Sequence, residues 1–153
     1  RYEEWTEPIS DTDNTITFYY PHKYKADYNE TESLEYSILF RLAEQYLIRA
    51  EARAHLGNLI GAANDLNLIR ERAGLAATQA NTQTELLEAI QKERQLELFT
   101  EQGHRWFDLK RTGNAGTLLG DIKPNWNETN LLLPIPESQL ELNPNLLPQN
   151  AGY

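Results

Sequence analysis

The chain reads as a mainly α fold: a helical hairpin with further helices, irregular loops, and an extended proline-rich C-terminal strap. Three observations predict it. Apolar residues recur every three or four positions from Leu39 to Ala73 and again from Leu86 to Phe99, the period of one helix face. Glycines stand where those runs stop, at Gly57, Gly74 and Gly103. Four of the seven prolines, Pro134, Pro136, Pro144 and Pro148, fall after residue 130, and each fixes φ and removes a backbone donor.

Residues 1–36 are predicted to be an acidic strand and loop segment. Positions 1–14 lack a sustained period, although Tyr2 and Trp5 point to partial docking. Thr15-Ile16-Thr17-Phe18-Tyr19-Tyr20 is β-branched and aromatic, the composition of a short strand, and Pro21 ends it. From His22 to Glu35 the chain is polar and reads as a surface loop.

Residues 37–111 form the predicted helical body. Leu39, Leu42, Ala43, Tyr46, Leu47, Ala50, Ala54 and Leu56 define a helix over about 38–56. Asn58 is placed to cap a second helix, in which Leu59, Ala62, Ala63, Leu66, Ile69 and Ala73 make the apolar stripe. The short connection forces the two antiparallel. Thr82-Gln83-Thr84-Glu85 is a capping box opening a third helix, whose buried face is Leu86, Leu87, Ile90, Leu98 and Phe99. A shorter segment over His104–Arg111 carries Trp106, Phe107 and Leu109. Residues 112–153 are expected to be loop and strap. Gly113 to Gly120 reads as a glycine-rich loop, 121–130 as irregular, and the prolines exclude helix from Leu131 onward. Leu131, Leu132, Leu133, Ile135, Leu140, Leu142, Leu146 and Leu147 give that strap an apolar side to lay across the helices.

One core of ordinary size suits 153 residues with 40% hydrophobic content, so a single domain over 1–153 is expected. The net charge of −9 argues against a nucleic-acid ligand, which needs a basic footprint. Residues 1–36 hold nine acids against three bases, which marks them as the most solvated part. Absence of cysteine excludes disulfides, thiolate metal sites and thiol nucleophiles within this span. No apolar run approaches the roughly 20 residues that cross a bilayer. Methionine is absent everywhere, position 1 included, so the chain is expected to continue upstream.

Tyr46, Ala50, Gly57, Ala62, Leu66 and Ile69 fall close to the spacing of tetratricopeptide repeats, in which small residues let paired helices approach. Such a unit needs neighbours to bury its faces. Four ordered motifs add a family resemblance: Phe40-Arg41-Leu42-Ala43-Glu44-Gln45-Tyr46-Leu47-Ile48-Arg49-Ala50-Glu51-Ala52; Leu66-Asn67-Leu68-Ile69-Arg70-Glu71-Arg72-Ala73-Gly74; the run from Glu93 through Trp106 to Arg111; and the proline tail. Together they resemble the carboxyl-terminal part of the SusD/RagB family of outer-membrane nutrient-binding lipoproteins. Residues 1–37 carry little of the likeness. The ending Pro148-Gln149-Asn150-Ala151-Gly152-Tyr153 departs from the family habit of a proline between asparagine and glycine.

The resemblance implies a non-catalytic protein at the bacterial cell surface. It would be held to the outer membrane by a lipidated cysteine upstream of this chain, and would capture glycans or other nutrients and pass them to a TonB-dependent SusC-like transporter. It implies no cofactor and no metal, and it places most ligand contacts upstream of this region. A tetratricopeptide-type adaptor that binds peptide in a helical groove is the alternative.

Glu93, Glu97 and Glu101 are spaced by four and share a helix face, with Arg94, Arg105, Asp108 and Arg111 nearby in sequence. A glycosidase uses two such carboxylates. Adjacent guanidinium groups keep carboxylates ionised, which favours a structural ion network over an acid catalyst. His104 and Asp108, one turn apart with Glu101 a turn earlier, have metal-ligand spacing, but no second histidine is near, so a hydrogen-bonded histidine at a helix junction is expected. Of the aromatics outside the helical period (Trp5, Tyr19, Tyr20, Tyr24, Tyr28, Trp126), Trp126 and Tyr24 are the candidates to stack on a sugar ring. Trp106, part of a family motif, is expected to be buried. Gly113-Asn114-Ala115-Gly116 lacks the lysine of a phosphate-cradling loop. The sequons Asn29-Glu30-Thr31 and Asn127-Glu128-Thr129 are incidental in a bacterial protein.

Overall fold

A computed structural model describes residues 1–26, 31–32, 35–36 and 38–153. Tyr28, the Asn29-Glu30 of the first sequon, and Ser37 lie outside the described residues. Contacts divide the chain into two units, Arg1–Arg105 and Trp106–Tyr153. About half of it is helical, which makes the fold mainly α.

In the first unit a turn of helix, α1 (Tyr2–Trp5), leads into a two-stranded antiparallel ribbon of β1 (Thr6–Ser10) and β2 (Thr17–Pro21), with Thr6 opposite Pro21 and Ser10 opposite Thr17. The strand predicted at 15–20 is thus displaced by two residues at its start. Its partner lies in the stretch that shows no period. The reason is physical: β2 is exposed along its whole length and β1 over its last three residues, so neither face selects alternating apolar residues. The turn is organised by Asp11, whose Oδ1 accepts from the Thr15 and Ile16 amides at 2.7 and 3.2 Å.

Helix α2 (Leu42–His55) starts later than the predicted 38 because Arg41 is still extended, with φ −119° and ψ 135°. Leu39, predicted on the helix's buried side, consequently stands exposed, as do Ile38 and Phe40. That side is Ala43, Leu47, Ala50 and Ala54, mostly small residues that admit a close neighbour. Leu42 and Leu56, counted in the predicted stripe, stand away from that face and are exposed.

Gly57, at φ +78°, turns the chain, and the Asn58 side chain accepts from the Gly61 amide at 3.0 Å to cap α3 (Leu59–Arg72). A three-residue connection leaves α2 and α3 no option but to run antiparallel. After Gly74, a loop ends in the predicted capping box. Thr82 Oγ1 accepts from the Glu85 amide, while Glu85 Oε2 accepts from the Thr82 amide at 3.1 Å, opening α4 (Gln83–Glu97). The three helices bury one cluster centred on Leu47, Leu66, Leu86 and Ile90. Leu87 and Phe99, predicted on the buried side of this third helix, are only half-buried.

Helix α5 (His104–Arg111) leads into the second unit. Two expectations are corrected there. Gly113 to Gly120 is not loop throughout: α6 spans Ala115–Gly120, started by the buried Ala115. A Cβ on Gly116 would sit 2.0 Å from Glu128 Oε1, so this glycine answers to a close approach rather than to a turn. The tail is not free of helix either. α7 covers Glu137–Leu142, and 3-10 turns cover Glu128–Leu131 and Pro144–Leu146. Pro136 stands at the N-cap of α7 and Pro144 follows its end, so the prolines bracket one helical turn and a half without interrupting it.

Beyond them the chain folds back on itself. The Gln149 amide both accepts from Ile135 N and donates to Ile135 O at 2.8 Å. Asn150 Nδ2 donates to Leu133 O at 2.7 Å, and Tyr153 OH donates to Leu132 O at 3.1 Å. No helix among the described residues is long and apolar enough to cross a membrane.

Candidate functional site

The four-residue spacing brings Glu93, Glu97 and Glu101 to one side of α4 and the turn that follows it, and all three are buried. Glu93 takes Arg1 on Oε1 and the Arg70 guanidinium on Oε2 at 3.2 Å. Glu97 is wholly buried and carries three partners: Arg1 at 2.9 Å on Oε2, then Arg41 at 2.6 Å together with Arg72 on Oε1. Glu101 Oε1 meets Lys23 and Arg41, each at 2.5 Å. Lys23 Nζ also donates to the Glu97 carbonyl at 2.8 Å, and Arg41 does so at 3.1 Å.

Among the described residues five cations therefore face three carboxylates, two positive charges in excess, in a chain whose net charge is −9. Burial tends to raise the Glu101 carboxyl, but Arg41 and Lys23 together hold it below the ordinary carboxylate range. Burial pulls the Lys23 ammonium down, against the opposing pull of Glu101. Held by Arg41 and Lys23 in this way, the Glu101 carboxylate stays ionised and has no proton to donate.

The sequence places the three carboxylates, but their cations are not the neighbours in sequence. Arg94 is buried and lies 3.5 Å from Glu44 Oε1. Arg111 pairs with Asp108 at 2.9 Å within the second unit. Arg105 is exposed and takes no part in these pairs. The partners that sequence reasoning missed are Arg1, Lys23, Arg41, Arg70 and Arg72, from 23 to 96 positions away. A signal did exist: Arg41, Arg70 and Arg72 lie inside the motifs that carry the family resemblance, as do the glutamates. Three separated motifs thus meet in one cluster.

Another buried carboxylate, Asp65 on α3, receives Arg49 on both oxygens at 2.7 and 2.9 Å and Arg53 at 2.6 Å. The Arg49 hydrogen bonds, reinforced by Arg53 and opposed by burial, lower its pKa. For Glu101 and Asp65 the sign follows from linkage. A carboxyl whose folded pKa lies below its unfolded value of about 4 stabilises the fold above that pH, and the stabilisation is lost as pH falls through the folded pKa. The melting temperature is expected to drop on acidification below about pH 4, and to drop less in Asp65→Asn. Parallel thermal melts across pH check this, and coincident profiles would refute it.

Two hollows, each about 330 Å³, flank the shared pair Trp5 and Arg41. One is walled by Arg1, Arg72, Glu4 and Glu97, and the other by Lys23, Tyr24, Tyr36, Ile38, Glu35 and Glu101. Tyr24, a predicted ligand contact, is exposed at the second hollow, and Lys23 Nζ lies 3.9 Å from the Trp5 ring centre. Trp126, the other, belongs to the second unit, where it meets Trp106 edge-on at 6.3 Å between ring centres. Trp106 is half-buried rather than buried, with Lys110 Nζ 5.1 Å from its ring centre. His104 Nδ1 lies 3.6 Å from Glu44 Oε1. Among the described residues no group of three or more His, Cys, Asp or Glu is arranged to hold a metal.

Comparison with known proteins agrees with this arrangement of motifs. The sequence model of the SusD family matches residues 2–153. The chain is 34% identical over 152 residues to SusD-like protein P2 of Formosa agariphila, covering 90% of this chain and 30% of that protein. It is 38% identical over 124 residues to the starch-binding protein SusD of Bacteroides thetaiotaomicron, covering 75% of this chain and 21% of that protein. A crystal structure of a SusD-like protein from Bacteroides fragilis superposes with a TM-score of 0.64 at 29% identity, over 76% of this chain and 26% of that one. The chain belongs to the SusD family. It spans about a fifth to a third of the length of these relatives.

Proposed function

We propose that this chain is part of a nutrient-binding protein that captures glycan without cleaving it and passes it to a TonB-dependent SusC-like transporter at the bacterial outer membrane. Lipid anchoring upstream of Arg1 is part of the same reading, and the α2–α3 hairpin serves it as a tetratricopeptide-like scaffold unit. The observation that carries the proposal within this chain is the hollow between Trp5, Tyr24 and Tyr36. Aromatic faces take the C–H face of a sugar ring, and the charged groups beside them, Lys23, Arg41 and Glu101, are suited to hydroxyls. Trp126, in its corner with Trp106, is proposed as a second contact. Family membership and a relative named for starch binding support the ligand class.

Calorimetric titration of the full chain with neutral oligosaccharides is expected to show saturable binding with no product by chromatography. Tyr24→Ala is expected to weaken it about tenfold, the loss of one stacked ring at roughly 1–1.5 kcal/mol. Unchanged affinity in that variant would remove Tyr24 from the site, and product formation would overturn non-catalytic capture.

A further inference from the structure

The hollow on the other side of Trp5 has a different character. Its walls are three guanidinium groups, Arg1, Arg41 and Arg72, around the single buried carboxylate of Glu97. Arg1 and Arg41 have second carboxylates in Glu93 and Glu101. Arg72 has none among the described residues: one of its terminal nitrogens binds Glu97, and the rest of its fork stands on the rim with the side chain 55% exposed. Glu4, the other acid at this wall, is 76% exposed and lies 3.5 Å from Lys25. Like charges are thus crowded against one anion, and once Lys23 and Arg70 are counted the cluster sets five cations against three carboxylates among the described residues. A second anion in the hollow would relieve that repulsion, and the planar fork of an arginine matches a carboxylate in two-point contact. Trp5 supplies an indole wall beside it, suited to an apolar ring face.

We propose that this hollow binds the carboxylate of an acidic sugar residue, a uronate, with the sugar ring against Trp5. The proposal rests on the glycan-binding reading above and narrows it to anionic glycans, with Arg72 as the residue that sets the preference. The 330 Å³ volume is at the lower end for ligand pockets, so it suits a single charged ring rather than a long chain segment.

The test is calorimetric titration of the full chain with tetragalacturonate, with maltotetraose as neutral counterpart and a sulfated maltotetraose as the alternative anion. Tetragalacturonate is expected to bind at least tenfold more tightly than maltotetraose at low salt. That advantage should shrink as ionic strength rises from about 0.01 M to about 1 M, where screening shortens from roughly 30 Å to 3 Å. Arg72→Gln should reduce the acidic-to-neutral ratio toward one, and Arg72→Lys should restore only part of it. The salt series on the unaltered chain tests the charge preference without any variant. Equal affinity for the acidic and neutral sugars overturns the uronate proposal and leaves glycan capture standing. Tighter binding of the sulfated sugar overturns the carboxylate assignment, and no binding of any of the three overturns both readings.

Discussion

Replacing Glu97 by alanine is expected to lower the unfolding free energy by about 3 kcal/mol, at the lower end for breaking a buried ion cluster. For a chain of this length that is roughly a 6–12 °C fall in melting temperature. Glu97 has no exposed surface, and its two oxygens hold three guanidinium groups from three separated stretches of chain. Removing it leaves a cavity and takes from Arg72 its only carboxylate among the described residues, while Arg1 and Arg41 keep Glu93 and Glu101. Those retained pairs, and the access of all three arginines to water, hold the loss at the lower end. Glu97→Gln keeps the volume and an acceptor but not the charge, and its effect should fall between wild type and alanine. The reading of the cluster as structural predicts that stability moves first. A preserved melting point with loss of a hydrolytic activity would instead make Glu97 a catalytic group.

How far the sequence led depends on whether the cause of a feature is local. The α3 and α4 starts were legible because Asn58 and Thr82 satisfy amides within three residues of themselves, and the stops because Gly57 and Gly74 occupy positive φ. The start of α2 was misjudged for a non-local reason: Arg41 is held extended where its guanidinium reaches Glu97 and Glu101, 56 and 60 positions on. Leu39, counted in its period, then falls outside the helix together with Ile38 and Phe40. Propensity misled at α6 and α7, where Gly116 accommodates the approach of Glu128 and the prolines stand at the margins. The site divides in the same way. The spacing of Glu93, Glu97 and Glu101 is a property of one helix and was readable. Which cations close on Glu93, Glu97 and Glu101 is a property of the tertiary fold: Arg94 pairs with Glu44 and Arg111 with Asp108, while the three glutamates take cations from distant stretches of chain. The two hollows required the structure, because Trp5, Arg41 and Arg72 share no pattern along the chain.

Leu66→Ala is expected to cost about 2–5 kcal/mol, the second large effect. Leu66 lies on α3 with no exposed surface, in the cluster shared with Leu47 and Ala50 of α2 and Leu86 and Ile90 of α4. Several neighbours on α2 and α3 are alanines (Ala43, Ala50, Ala54, Ala62), which bring the helices close but leave little side chain to collapse into a void. That argues for the upper half of the range, since the cost grows with the cavity that remains. Leu56 is the matched control. It is the C-cap residue of α2, half a turn away from Leu47 around the helix axis and 85% exposed, so Leu56→Ala should change stability by less than about 0.5 kcal/mol. Chemical denaturation of both variants compares a buried leucine with an exposed one, and equal losses would mean that the packing described for α2, α3 and α4 is wrong.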